Sequence, residues 1–196
     1  MNILLLCSGT KKHGATERAA FEIQNMLTKN KIDFEFVSIG NSVIASCSDC
    51  GACKSRGRCI YDDEAQKIAD IAENFDAFIF LTPVHYGGAS GNMISMLSRL
   101  FRLNKGAFVR KPAAAVAVSR RGGNFTAIEE ITRFLAFASM PIISGNYPAV
   151  IYGTSWDEVE CDKEGLKTLR TLTENIIWIL RSIDMGRKSG INPPET

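Results

Sequence analysis

The feature that most constrains the fold of this chain is the alternation of short apolar runs with longer segments of helical periodicity. The longer segments carry apolar residues three or four positions apart, as in Ala19, Ile23 and Leu27, and predict five helices. Several short runs lack polar alternation, which is typical of strands buried on both faces. The sequence therefore predicts an α/β fold in which helices cover both faces of a five-stranded parallel sheet. The predicted strands span residues 3–7, 34–39, 77–81, 113–118 and 148–152.

The length of the chain fits one folding unit. With 196 residues, 45% of them hydrophobic and 22% charged, it has the composition of an ordinary globular domain. We predict a single domain over residues 1–182, with a cysteine-rich insertion at about residues 44–62. Residues 183–196 contain glycines and paired prolines, and they are expected to form a flexible tail.

Charge and hydropathy exclude several classes of partner. The formal net charge is only +2, so neither nucleic acid nor an anionic membrane surface is an expected partner. The first residues lack the charged region of a signal peptide, and no apolar run approaches the ~18–20 residues of a membrane span. The predicted location is the cytoplasm.

The first functional candidate is the loop "CSGTKKHGAT", residues 7–16, which follows the first predicted strand. It matches the phosphate-loop pattern of nucleoside triphosphatases at Gly9, Gly14 and Thr16, but Ala15 replaces the lysine that reaches the β- and γ-phosphates. Free amides at a helix start can nevertheless bind a monophosphate. A polar turn in which Thr16 caps the helix is the alternative.

Two further loops follow the third and fourth predicted strands. In "TPVHYGGASG" the rings of His85 and Tyr86 precede glycines that allow a flat ligand to approach the backbone closely. In "SRRGGN" either Arg120 or Arg121 can meet a phosphate, although exposed arginines are commonly only solvated. Ligands of open parallel sheets bind beyond the carboxyl ends of the strands, so the three loops are expected to surround one crevice.

A compact cysteine motif is the second functional candidate. The spacing C-x2-C-x2-C-x5-C lets four thiolates converge on one centre, and soft thiolate ligands suit a [4Fe–4S] cluster or structural zinc. The third possibility is that the thiols are reduced and metal-free, in a loop that shapes the active site or a subunit contact. The residues are Cys47, Cys50, Cys53 and Cys59.

Taken in order, these motifs resemble the flavodoxin-like NADPH-dependent FMN reductase family, and "CSDCGACKSRGRCIYDD" resembles its iron–sulfur flavoprotein branch. The resemblance covers about residues 1–180. It implies a three-layer sandwich with strand order 2-1-3-4-5, and a first loop that binds the phosphate of FMN. The residues it assigns to that loop are Ser8, Thr10, Gly14, Ala15 and Thr16.

The same resemblance assigns the other loops. Where the family commonly has Pro-Arg, this chain has Gly9 and Thr10, so Lys11 or Lys12 must supply the positive charge for the phosphate. His85 stands where the family commonly has another aromatic residue. The implied walls of the flavin site are Pro83, Val84, His85, Tyr86 and Gly87 on one side, and Ser119, Arg120, Gly122 and Gly123 on the other.

The leading functional hypothesis is an oxidoreductase that passes electrons from NAD(P)H through FMN to an unidentified small-molecule or protein acceptor. The flavin carries this chemistry, so no catalytic side chain is expected. The alternative is an electron carrier whose [4Fe–4S] cluster receives electrons from ferredoxin. A non-redox binding protein with a zinc-clamped loop is the third hypothesis. The resemblance also implies a homodimer or homotetramer.

Overall fold

The computed structural model of the protein describes residues 1–194. Its sheet has five parallel strands in the order β2-β1-β3-β5-β6, and a short strand β4 pairs with β3 in the antiparallel direction. The parallel α/β prediction is confirmed. The strands are β1 (Asn2–Cys7), β2 (Asp33–Ser38), β3 (Ala77–His85), β4 (Gly88–Ala89), β5 (Ala113–Ser119) and β6 (Ala149–Tyr152).

The predicted count of five strands omits β4. This strand has two residues, too few for any periodicity, and it forms only because the chain reverses at Tyr86 and Gly87, which both have positive φ. The reversal returns the chain against the end of β3. It therefore belongs to the loop that the sequence analysis assigned to a ligand site.

Helices cover both faces of the sheet. Alternate residues of β1 divide between two cores, with Ile3 and Leu5 facing one and Leu4 and Leu6 the other. The first core is closed by α1, α6 and α7, the second by α3, α4 and α5. The helices are α1 (Ala15–Lys29), α2 (Ala52–Arg56), α3 (Glu64–Ile71), α4 (Gly91–Leu103), α5 (Asn124–Phe137), α6 (Trp156–Cys161) and α7 (Lys163–Lys188).

The last helix ends later than expected. We expected the domain to end at residue 182, but α7 continues to Lys188 and buries Ile176, Ile177 and Leu180 against the first core. No proline occurs between Pro148 and Pro193, so no proline interrupts α7 at residue 182. Residues 195 and 196 lie outside the described part of the chain. The division into one domain and a flexible tail stays a prediction.

Candidate functional site

An open cleft of about 210 Å³ lies at the carboxyl ends of β1, β3 and β5. The loops that follow parallel strands all lie at the same edge of the sheet, so the three loops predicted from the sequence to form a site meet here. A fourth segment, after β6, completes the wall. The lining residues are Gly9, Thr10, Lys11, Gly14, Ala15, Thr16, Pro83, Val84, His85, Val118, Ser119, Arg120, Gly153 and Thr154.

The amino end of α1 forms one wall of the cleft and is uncapped. Gly14 is its N-cap and offers no side chain, whereas side chains of Asp63, Ser90, Ser155 and Asp162 cap other helices. Within residues 1–194, no protein group accepts a hydrogen bond from the backbone N–H groups at positions 15–17. These donors and the positive end of the helix dipole make the wall suited to an anion. The alternative in which Thr16 caps α1 is wrong, because Thr16 lies inside the helix.

Close glycine contacts fix the loop that leads into α1. A Cβ atom at Gly40 would lie 2.0 Å from the carbonyl oxygen of Gly9, and one at Gly14 would lie 2.8 Å from that of Lys11. The side chain of Asn92 lies 2.9–3.1 Å from three carbonyl oxygens of the 39–42 turn, and Asn41 Nδ2 donates to Thr10 at 2.9 Å. The shape of the loop therefore depends on a turn about thirty residues away and on α4.

The predicted phosphate residues are not all at the cleft. Thr10, Lys11, Gly14, Ala15 and Thr16 line it, whereas the exposed Lys12 does not.

Ser8 also lies apart from the cleft. It is completely buried, and its hydroxyl lies 3.3 Å from the Leu81 carbonyl and accepts from Ser90 Oγ at 2.7 Å. The pairing of β1 with β3 turns this side chain into the layer beneath the loop. In this structure its hydroxyl lies below the loop, outside the lining of the cleft, and its part in binding phosphate stays a prediction.

The second loop is a hairpin built from β3 and β4. Pro83, Val84 and His85 line the cleft, while Tyr86 at the tip is fully exposed and outside the lining. The carboxylate of Glu130 in α5 accepts from the Ala89 N–H at 2.7 Å and so holds the returning strand. Glu130 was not predicted as a site residue, because it occurs within a helix as an ordinary half-buried acid.

The third loop packs directly against the second. A Cβ atom at Gly123, where φ is +87°, would lie 2.7 Å from the Cα of Gly87, so these two residues meet without side chains. Ser119 and Arg120 line the cleft, whereas Gly122 and Gly123 lie outside the lining. Beneath the loop, Asn124 accepts from Ser119 at 2.6 Å. The two loops therefore form one connected wall.

The segment after β6 was not anticipated from the sequence. Gly153 and Thr154 line the cleft, and Thr154 donates through both its N–H and its hydroxyl to the carboxylate of Glu158, each at 2.7 Å. These hydrogen bonds, with a smaller effect of the nearby positive charge of Arg120, lower the pKa of Glu158. The sequence did not indicate a binding role for this segment, because Gly153, Thr154 and Ser155 have the composition of an ordinary surface turn.

A second, smaller cavity lies between the cysteine segment and α4. All four predicted cysteines line it, together with Tyr61, Arg99 and Arg102, and its volume is about 20 Å³. None of the six cysteines is in a disulfide. The N–H of Ala52, at the start of α2, stabilises the Cys50 thiolate and lowers the pKa of this thiol. Over residues 1–194, no three His, Cys, Asp or Glu side chains are grouped so as to hold a metal ion.

Comparison with known proteins gives consistent matches. The model of the family described as NADPH-dependent FMN reductase matches residues 1–155. An iron-sulfur flavoprotein of Methanocaldococcus jannaschii is 27% identical over 191 residues, covering 93% of this chain and 99% of that protein. The structure of RosB with a bound 8-demethyl-8-formylriboflavin-5′-phosphate intermediate aligns with TM-score 0.72 at 15% identity, covering 94% of this chain and 81% of RosB.

A flavodoxin from the domain Archaea aligns with TM-score 0.63 at 14% identity, covering 92% of this chain and 99% of the flavodoxin. This likeness confirms the flavodoxin-like fold expected from the sequence. Among residues 1–194, no helix is both long enough and apolar enough to cross a bilayer.

Proposed function

The chain belongs to the NADPH-dependent FMN reductase family of flavin oxidoreductases, and on that premise we propose that its cleft holds FMN. The observation that carries the proposal is the uncapped start of α1, where the N–H groups of residues 15–17 have no acceptor among the described residues. The glycines fix the loop that leads to these donors, because a Cβ atom at Gly9 would lie 2.9 Å from Thr16 Cβ and one at Gly14 would lie 2.8 Å from the Lys11 carbonyl oxygen.

Each wall has a separate task in binding. The N–H groups and the Thr16 hydroxyl would hold the phosphate, with Lys11 supplying positive charge. The 83–85 segment and residues Ser119 and Arg120 would enclose the ring and exclude water from one of its faces. When bound, FMN supplies the hydride and electron chemistry of this family. The chain itself binds and orients, and no acid–base side chain is required of it.

We further propose reduced nicotinamide as the electron donor. Arg120 lines the cleft and is exposed, so its guanidinium is available to a dinucleotide phosphate. The test is anaerobic mixing of the FMN-loaded protein with NADPH or with NADH, followed by the bleaching of the flavin absorbance. Bleaching by either nucleotide supports a nicotinamide-dependent reductase, and a faster reaction with NADPH assigns the preference. Unchanged absorbance with both excludes nicotinamide as donor.

Replacing Thr16 by valine is expected to weaken FMN binding about 10- to 100-fold. The change keeps the shape of the side chain but removes a hydroxyl beside the proposed phosphate, and a hydrogen bond to a charged group contributes ~1.5–3 kcal/mol. Riboflavin lacks the phosphate, so its affinity should change less than about threefold. Both affinities are measured by quenching of flavin fluorescence.

The matched control is Thr126→Val, which removes an exposed hydroxyl from α5 and should alter neither affinity. If Thr16→Val weakened riboflavin and FMN equally, the phosphate would not lie at the start of α1. An unchanged FMN affinity would contradict the assignment of Thr16 in the same way.

The cysteine cavity favours a second redox group, and we propose a [4Fe–4S] cluster as the candidate. Four thiols and two guanidinium groups share this cavity, and the guanidinium charges would offset those of the thiolates. Cys47, Cys50, Cys53 and Cys59 would each supply one thiolate to such a group, and all four line this cavity. The cavity is small, so the exposed cysteine segment would have to open outward to admit the cluster. Ferredoxin is the corresponding candidate donor.

Replacing Cys50 by serine tests this candidate. In protein prepared and reconstituted without oxygen, the wild type is expected to contain iron and acid-labile sulfide in equal amounts, and the variant should lose most of both. FMN binding should be retained, since Cys50 lies outside the cleft.

The control is Cys161→Ser, which removes an exposed thiol at the end of α6 and should leave iron and sulfide unchanged. Zinc without sulfide in the wild type would identify a structural metal site instead. Wild-type protein that contains neither iron nor zinc would show that the four thiols are free. If Cys50→Ser still oxidised NAD(P)H, the activity would not need the cysteines. The protein would then be a nicotinamide-dependent reductase and not an electron carrier that depends on a cluster.

A further inference from the structure

Trp156 begins α6, just after the segment 153–154 that lines the cleft, but it does not itself line the cleft. Its indole packs against α1: the ring centroid lies 5.4 Å from that of Phe21 and 5.5 Å from the guanidinium carbon of Arg18. The indole N–H donates to the carboxylate of Glu160 at 3.2 Å, and the same carboxylate oxygen accepts from Arg18 Nε at 3.2 Å. The orientation of the indole is therefore fixed by α1 and by its own helix.

The indole also contacts the loop of residues 9–16, through the ring of His13. The two ring centroids lie 5.8 Å apart at an interplanar angle of 66°, an edge-to-face geometry that aromatic pairs favour. His13 directly precedes Gly14, the N-cap of α1, and its φ of +53° is a strained conformation that persists where neighbouring contacts hold it. The carboxylate of Glu17 provides a second such contact, because it accepts from the His13 N–H. Trp156 therefore supports a strained loop position next to the proposed phosphate donors.

The same helix holds the segment after β6. Gly153 and Thr154 line the cleft, and the N–H of Gly153 donates to the Ser119 carbonyl at 2.8 Å. A Cβ atom at Gly153 would lie 2.7 Å from Val159 Cγ2, so the segment packs closely on α6 and would move with it. Through Trp156, α6 thus joins two walls of the cleft, the segment after β6 and the loop that precedes α1.

We propose that Trp156 is a positioning residue that sets the preference of the cleft for a phosphorylated flavin over riboflavin. Its ring holds His13, and with it the start of α1, in a fixed position relative to the segment after β6. The N–H groups of residues 15–17 and the Thr16 hydroxyl then converge where the phosphate would lie. This inference rests on the proposed FMN site. Because Trp156 acts on the phosphate end alone, the contacts that segment 83–85 would make with the flavin ring do not depend on it.

The first test compares two identical changes, Trp156→Leu and Trp178→Leu. Trp178 is the other tryptophan of the chain, and it is exposed on α7 and lies outside the cleft lining. A third variant, Trp156→Phe, keeps an aromatic ring beside His13 and so tests for rescue. The dissociation constants for FMN and for riboflavin are measured by quenching of flavin fluorescence, at a temperature well below the melting temperature of each protein.

For Trp156→Leu we expect the FMN dissociation constant to rise at least about tenfold, as for the loss of one hydrogen bond to a charged group, and that for riboflavin to change less than about threefold. Trp156→Phe should recover most of the FMN affinity, and Trp178→Leu should alter neither constant. A purely structural role would lower the melting temperature of Trp156→Leu, or weaken both flavins by the same factor. Either result, with the ratio of the two constants unchanged, overturns the proposal.

A double-mutant cycle tests whether Trp156 acts through the phosphate loop. Thr16→Val alone is expected to weaken FMN binding about 10- to 100-fold, because it removes a hydroxyl beside the phosphate. In a Trp156→Leu background the same change should weaken binding about threefold or less, since the hydroxyl is already displaced from the phosphate. Equal losses in the two backgrounds would mean that the residues act independently, and they would overturn the proposal.

The variant His13→Asn removes the same contact from the loop side and does not depend on Trp156→Leu folding, because His13 is exposed. Asparagine tolerates a positive φ, so the backbone can keep its conformation. We expect FMN to bind at least about threefold more weakly and riboflavin to bind as in the wild type. A His13→Asn protein with wild-type affinity for FMN overturns the inference while the FMN site stands. A wild type that binds no FMN instead overturns the proposed function, and this inference with it.

Discussion

Replacing Gly40 with alanine is expected to weaken FMN binding at least 100-fold, about 2.7 kcal/mol. The new Cβ atom would lie 2.0 Å from the Gly9 carbonyl oxygen and 2.8 Å from the Cα atom of Thr10. Both are backbone atoms, so neither can rotate away, and the 9–16 loop must shift. The N–H groups at the start of α1 would then no longer converge on the phosphate. Titration of the purified variant with FMN, followed by fluorescence quenching, measures the loss.

The matched control is Gly91→Ala, because a Cβ atom at Gly91 would meet nothing within 4 Å and Gly91 lies at the start of α4 outside the cleft lining. Its FMN affinity and melting temperature should equal or slightly exceed those of the wild type, since alanine favours helix more than glycine does. A Gly40→Ala protein that is folded by circular dichroism and binds FMN normally would show that the loop conformation does not control the site.

Replacing Glu22 with glutamine is expected to lower the free energy of unfolding by about 3 kcal/mol. The carboxylate of Glu22 is buried between α1 and α7, where it accepts from Arg18 Nη1 at 3.0 Å and from Arg170 Nε at 2.5 Å. Without its charge, the buried Arg18 keeps, among residues 1–194, only the half-exposed Glu160 as an ionic partner. For a chain of this size the melting temperature should fall by roughly 6–12 °C. Urea unfolding at pH 7 measures the change in free energy.

The pH dependence of this difference identifies its cause. Burial raises the pKa of Glu22, but hydrogen bonds and charge from Arg170 and Arg18 outweigh it, so the folded-state pKa lies below the ordinary value. The stabilisation is therefore complete above the ordinary carboxyl pKa and is lost as the pH falls through the folded-state pKa. The wild type and Glu22→Gln should converge in acid. Glu174→Gln, an exposed change on α7, should stay within about 0.5 kcal/mol of the wild type.

The sheet could be predicted because its signal is local. Strands buried on both faces must be continuously apolar, so the run from Ala113 to Val118 marks β5 to within one residue. The order of the strands came from the family resemblance, and the convergence of the three loops followed from the rule that ligands bind beyond the carboxyl ends of parallel strands. Asp63 caps α3, which begins at Glu64, and an aspartate directly before a helical segment is likewise a local signal.

The finer geometry of the site depends on contacts that no sequence window contains. The Ser8 hydroxyl looked available because it occurs in a polar loop, but strand pairing turns it into the buried layer below. The sequence did not single out Gly40, because its role depends on a close backbone contact with Gly9, thirty-one residues earlier in the chain. For the buried Arg99, which lines the cysteine cavity, one indication was present: it lies between the core positions Met96 and Leu100, where an exposed arginine is not expected.

The tie between the 9–16 loop and the 39–42 turn has a consequence for transplanting this site into another scaffold. The loop takes its shape from Gly40, from the Asn41 amide and from Asn92 on α4, all outside the local motif. A graft of "CSGTKKHGAT" alone would contain the N–H donors of the loop but not the contacts that hold the loop in its conformation. The smallest portable unit is therefore discontinuous, with at least three pieces, drawn from β1–α1, from the turn after β2 and from the first turn of α4.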